Sequence, residues 1–227
     1  MFHCEAHSVR TRDLLEVDAK QLITAHATIP RWAEEHLHEV PFVVVRRSPR
    51  TQHRIPIGVR GCERNQRWAS FCSSGILINI VTPPQLLGHA VPAQRDSAIP
   101  ALRALQLLKN RWIGLDHDWG PGGSVGFELA TGKHTARAGS DLDIVLYAER
   151  RVPVDEAKWL YARAIDLPSL VDIRVETPVC GFSLREYARA SPAAILLRTS
   201  SGVAFGSDPW CQELGIVDPG HTAARRL

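Results

Sequence analysis

The chain has 227 residues, 44% of them hydrophobic and 22% charged, with a formal net charge of +3. These are the proportions of a folded globular protein with room for one or two cores. No stretch approaches the ~18 consecutive apolar residues of a membrane span. The first twenty residues carry acids instead of a signal-type apolar run, so a cytoplasmic protein is expected. The five cysteines, Cys4, Cys62, Cys72, Cys180 and Cys211, form no CxxC pair and support neither a zinc ribbon nor a disulfide framework.

In chain order, "LLEVDAKQLITAH" (residues 14–26) has spacing compatible with a helix. "FVVVRR" (42–47) and "RIPIGVR" (54–60) predict two strands of a hairpin around a polar turn. Positive charge concentrates here. Residues 41–70 hold Arg46, Arg47, Arg50, Arg54, Arg60, Arg64 and Arg67 against Glu63 alone, a local +6 that leaves −3 for the rest. Guanidinium groups grip phosphate or carboxylate oxygens in pairs, so this cluster is a candidate anion surface. "ILINIVTPP" predicts a strand stopped at Pro83. "IPALRALQLLKN" (99–110) predicts a helix with Leu102, Leu105 and Leu108 on one face, closing a first half.

The second half begins near Trp112, which gives two predicted domains, 1–110 and 111–227. "DLDIVLY" (141–147) reads as a buried strand. "PVDEAKWLYARAI" (153–165) reads as a helix with Asp155 and Glu156 at its positive end. "LVDIRVET" (170–177) alternates Val171, Ile173 and Val175 with Asp172, Arg174 and Glu176, the pattern of a half-buried strand. "FSLREYARA" offers a capping box in Ser183 and Glu186, with Phe182 and Tyr187 placed as a hydrophobic staple. "AILLRT" predicts a last strand. The expected fold class is α+β: an N-terminal mixed α/β domain with a β-hairpin, then a mixed-sheet α/β domain.

The chemistry concentrates in "GGSVGFELATGKHTARAGSDLDIVL" (122–146). On a strand, Asp141 and Asp143 project from one face while Leu142 and Ile144 turn inward. Two carboxylates so close repel unless a cation lies between them, and Mg²⁺ is the natural resident of an oxygen site. Asp172, on the next strand of the α/β unit, completes the set if the strands pair in register. Asp141, Asp143 and Asp172 are therefore the candidate catalytic and metal-binding residues. Glycine lets backbone amides approach phosphate oxygens and serine adds a donor, so Gly123 and Ser124 are expected to cradle a polyphosphate. Glu128 is a candidate support for the loop; His117 lacks a spaced ligand partner, and His134, in the polar gap within reach of phosphate, reads as a solvated loop residue.

This order, Gly-Ser, then Asp-x-Asp on a strand, then a later single acid, resembles the nucleotidyltransferase superfamily. The gap from Ser124 to Asp141 is longer than is usual there, and Val125, Phe127 and Leu129 alternate as a strand would. "WGPGGSVGFELATG" with "SDLDIVL", "PFVVVRR", "IPIGVRGCERNQRWA", "TPPQLL" and "VDIRVETPVCGFSLREYA" resemble a narrower family. It is the malonate decarboxylase holo-acyl carrier protein synthases, also called phosphoribosyl-dephospho-CoA transferases. The resemblance covers roughly residues 10–200.

It implies a nucleotidyltransferase-like second domain and a transfer reaction. The donor is 2'-(5''-triphosphoribosyl)-3'-dephospho-CoA and the acceptor a serine of the apo acyl carrier subunit of malonate decarboxylase. A phosphodiester forms and pyrophosphate leaves. Asp141 and Asp143 would bear Mg²⁺, with Asp172 binding a second ion or taking the serine proton. Arg46, Arg47, Arg60, Arg64 and Arg67 in the first domain would meet the donor or the acidic carrier protein, with Arg60, between Gly58 and Gly61, the strongest candidate. Two other functions match parts of the pattern: nucleotidyl transfer with another specificity, such as adenylylation, and nucleic-acid binding by the basic half. The chain lacks the aromatic-glycine signatures of RNA readers, which argues against the latter.

Overall fold

The computed structural model describes residues 9–211, apart from 27, 50–53, 62, 64 and 190–193. Two hydrophobic cores divide the chain. The first is built on β1 (Leu14–Val17), α1 (Ala19–Thr24), α2 (Arg31–Glu39), β2 (Phe42–Val45), β3 (Arg54–Arg60), β4 (Arg67–Ser73) and β5 (Leu77–Val81). Their sheet has the order β4-β3-β2-β1-β5, all pairs antiparallel. The helical spacing read over 14–26 holds only for its second part. Leu14–Val17 is a strand because it lies between β2 and β5, where both backbone edges are paired and Leu15 and Val17 are fully buried. Tertiary pairing overrides local propensity there.

The second core gathers α3 (Pro83–Leu86), α4 (Ala93–Ala98), α5 (Pro100–Arg111), β6 (Trp119–Pro121), α6 (Gly123–Thr131), β7 (Leu142–Tyr147), α7 (Val154–Ala164), β8 (Val171–Glu176), β9 (Cys180–Ser183), α8 (Leu184–Arg189), β10 (Ile195–Thr199) and β11 (Val203–Gly206). Its sheet order is β11-β10-β9-β8-β7-β6, with β7 and β8 parallel across the α7 crossover and the remaining pairs antiparallel. Leu142, Ile144 and Leu146 of β7 pack in one cluster with Leu102, Leu105 and Leu108 of α5 and Leu160 of α7. Helix α5, which the sequence suggested would close the first half, thus belongs to the second core, and the division falls nearer residue 83 than 110. Its apolar stripe fits either half by pattern; only the packing assigns it. Among the described residues no helix is long and apolar enough to cross a membrane.

Residues 123–131 form a helix, not the strand that the alternation of Val125, Phe127 and Leu129 suggested. Gly132 ends it at φ +72°, a left-handed cap that glycine adopts without steric cost. The helix enters directly from β6. A Cβ on Gly120 would overlap the Pro83 carbonyl, and one on Gly126 would come within 2.5 Å of the Pro121 carbonyl. These two glycines let β6, α3 and α6 meet backbone to backbone.

Candidate active site

One face of the parallel pair β7-β8 carries apolar side chains into the core; the other carries Asp143, Val145 and Tyr147 beside Asp172, Arg174 and Glu176. The register sets Asp143 opposite Asp172, Val145 opposite Arg174 and Tyr147 opposite Glu176. The two aspartates are therefore neighbours, as in-register pairing required. Asp141 precedes β7 and is exposed. Burial raises the proton affinity of Asp143, and the neighbouring Asp172 carboxylate raises it further; Arg12 and Arg60 oppose both, and Asp141 adds to the repulsion. Asp172 is 45% exposed at its side chain and accepts a bond from Arg174 Nη2 at 3.3 Å.

The N-terminus of α6 lies against this carboxylate. Gly122 N–H donates to the Asp143 carbonyl at 2.8 Å. Gly123, at φ +55°, packs so closely that a Cβ would overlap Asp143 Oδ2. Glycine is required there by both conformation and space. Ser124 follows in the first turn of this nine-residue helix, whose free amides and dipole favour an anion. The long segment after α6 is folded back on it: Thr135 Oγ1 donates to the Ser124 carbonyl at 2.7 Å. Glu128 anchors that segment. Its carboxylate accepts from Arg95 Nε at 2.8 Å, Arg95 Nη2 at 2.7 Å and Ala136 N–H at 2.9 Å. Burial opposes ionisation of Glu128, but the Arg95 and Ala136 bonds hold its proton affinity below the usual range. Its role is the support that the sequence suggested.

The arginines separate into distinct roles. Arg60 and Arg67 face one another directly at the end of the β3-β4 hairpin, both exposed. Like charges so placed cost stability unless an anion joins them, and Arg60 acts electrostatically on Asp143. Arg46 is exposed, its stem lying over Gly58. Arg47 is turned to the buried Glu176: Nη2 donates to Oε2 at 2.7 Å and to the Thr177 carbonyl at 3.0 Å. That bond spans the two halves, so Arg47 braces one against the other. Arg64 lies outside the described residues. His117 pairs with Glu156 at 2.9 Å.

The donor set at Asp143 and Asp172, hard carboxylate oxygens whose mutual repulsion a cation relieves, suits Mg²⁺. Among the described residues no three Asp, Glu, His or Cys side chains are gathered closely enough to hold an ion by themselves. Magnesium commonly takes one or two carboxylates and completes its shell with phosphate oxygens and water, so two adjacent acids beside a helix N-terminus fit it.

Residues 10–83 match the model of the phosphoribosyl-dephospho-CoA transferase MdcG N-terminal domain, and residues 87–209 that of the C-terminal domain. The chain belongs to the phosphoribosyl-dephospho-CoA transferase family. It is thereby a member of a family of transferase enzymes. Relatives of that name from Azotobacter vinelandii, Pseudomonas aeruginosa and Klebsiella pneumoniae are 38%, 37% and 36% identical. The matches cover 81%, 80% and 80% of this chain and 87%, 85% and 87% of those proteins. No solved structure matches. The family's two domains meet between residues 83 and 87, where the two cores also part.

Residues missed by sequence reading lie on the seam between the cores. Arg12 Nε donates to Glu176 Oε1 at 3.2 Å; Arg10 pairs with Asp118 at 2.8 Å and stacks over Tyr147 at 3.9 Å. The alternation over 170–177 marked Glu176 as polar-facing, but gave no sign that arginines from the other half would cover it.

Proposed function

We propose that this chain transfers the 2'-(5''-triphosphoribosyl)-3'-dephospho-CoA group to a serine of the apo acyl carrier subunit of malonate decarboxylase, in the cytoplasm, releasing pyrophosphate. The observation that carries the reading is the in-register pairing of Asp143 with Asp172 against the N-terminus of α6, in a chain of this family.

Amides of the first turn of α6, with the Ser124 hydroxyl, receive the outer phosphates of the donor. Asp143 and Asp172 would hold Mg²⁺, which when bound neutralises charge on the polyphosphate. Arg60 and Arg67 approach from the first half and add positive charge. The acceptor serine enters on the exposed side, where Asp172 is placed to take its hydroxyl proton. Its oxygen bonds to the α-phosphorus as the bond to the pyrophosphate oxygen breaks. Positioning and charge neutralisation carry such a transfer.

The test is mass spectrometry of purified apo carrier subunit incubated with the protein, Mg²⁺ and the donor. The expected result is a mass gain equal to the prosthetic group, absent with Asp143→Ala. Transfer of AMP from ATP, with none from the CoA-derived donor, would overturn the assignment.

A further inference from the structure

Arg12 has φ +80°, in the left-handed region that penalises a residue with a Cβ. Glycine would occupy such a position more cheaply. The turn is nevertheless held from several directions. Arg12 N–H donates to the Val45 carbonyl at 2.9 Å, and Arg10 N–H to Asp13 Oδ2 at 2.7 Å. The Tyr147 hydroxyl donates to the Thr11 carbonyl at 3.0 Å and to Asp13 Oδ1 at 3.3 Å. Burial and the Asp13 carboxylate push the Tyr147 phenol up, keeping it a neutral donor. Strained backbone persists only where its surroundings enforce it, and it concentrates at functional sites.

The strain fixes where the guanidinium sits. Glu176, itself buried and held by Arg47, takes Arg12 through Nε alone. The Arg12 side chain stays 43% exposed, and its terminal nitrogens have no hydrogen-bond partner among the described residues. Through Glu176 it meets the polar face of β7-β8, four residues along β8 from Asp172, and its positive charge partly offsets that of Asp143. Nε tethering with the terminal nitrogens open leaves a partly exposed planar fork, suited to paired phosphate oxygens.

We propose that Arg12 is a substrate-binding residue whose guanidinium grips phosphate oxygens of the triphosphate donor on the polar face that carries Asp143, with Glu176 as its positioning residue. This rests on the reading of the Asp143–Asp172 face as a polyphosphate site.

Arg12→Gly separates contact from conformation, because it deletes the guanidinium while suiting the positive φ. The probe is inorganic tripolyphosphate with Mg²⁺, titrated calorimetrically into wild type, Arg12→Gly and Arg12→Lys, with unfolding curves for each. Wild type is expected to bind; Arg12→Gly should weaken Kd about ten- to a hundredfold, the weight of charge-assisted bonds, with a cooperative unfolding transition retained. Arg12→Lys should recover part of the loss. In the transfer assay KM for the donor should rise by a similar factor with kcat little changed, the mark of lost ground-state binding. Equal binding by wild type and Arg12→Gly overturns the role of Arg12 alone, as does weakening that comes only with a lost unfolding transition. Failure of wild type to bind tripolyphosphate overturns the polyphosphate reading of the Asp143–Asp172 face, and this inference with it.

Discussion

Asp172 and Glu176 stand four residues apart on β8 and face the same way, but their surroundings are opposite. Glu176 is 4% exposed at its side chain and held by Arg12 and Arg47 from the first half. Asp172 is 45% exposed and has another carboxylate, Asp143, as its strand neighbour. One end of the polar face is neutralised by the protein itself, and its acid joins the two cores. At the other end Asp172 meets Arg174 at 3.3 Å but has Asp143 as its strand neighbour, and Asp143 holds its proton more tightly than an ordinary carboxylate. Compensated charge serves the fold; negative charge left in excess invites a cation and whatever that cation carries. Glu128, met by Arg95 and a backbone amide, belongs to the first kind although it lies in the glycine-rich stretch.

The sharpest way to break this contrast is at Asp143. Asp143→Asn should lower transfer about a thousandfold, the scale of losing a preorganised electrostatic group, read by the carrier-protein mass gain. It should also raise the unfolding midpoint at neutral pH, because the repulsion with Asp172 goes. Since the native Asp143 carboxyl is raised, the folded protein binds more protons than the unfolded chain between the ordinary and the raised values. Stability therefore falls as pH rises through that window, and Asp143→Asn should lack this part of the slope. Retained transfer, or a lowered midpoint, would place Asp143 among the structural acids.

At the opposite end, Arg47→Ala leaves Glu176 buried with Arg12 as its remaining cation. Removing one partner of a buried pair costs about 3 kcal/mol, to be measured by urea unfolding. An unchanged unfolding curve would mean that the brace between the halves is elsewhere.

The smallest effect is expected at Glu128. Glu128→Gln keeps an acceptor but loses the charge opposite Arg95, costing about 1–2 kcal/mol at neutral pH. Because the Glu128 carboxyl is held low, its contribution is fully present above the ordinary carboxylate value. It is lost as pH falls through the lowered one, so wild type and Glu128→Gln should converge in stability on acidification. Persistent separation at low pH would point to packing in place of charge.

Much of the second half was legible locally. The helix over 153–165 and the alternating strand over 170–177 follow from periodicity, and the packing of Phe182 on Tyr187, centroids 5.2 Å apart, matches the staple read from sequence. Residues 123–131 misled because a short helix with two glycines shows little of the 3.6-residue period; Gly132, just past its end, was the available signal. Arg12 had no local signature at all, since nothing in "SVRTRDLL" announces a positive φ.

The sequence by itself determined the family, the spacing of Asp141, Asp143 and Asp172, and the glycines that let a backbone approach them. Only the tertiary structure decided which acids are compensated. Arg12 meets Glu176 across 164 positions of the chain and Arg47 meets it across 129. Electrostatic energy depends on distance in space and on burial, and neither is written in the order of residues until the two cores pack together.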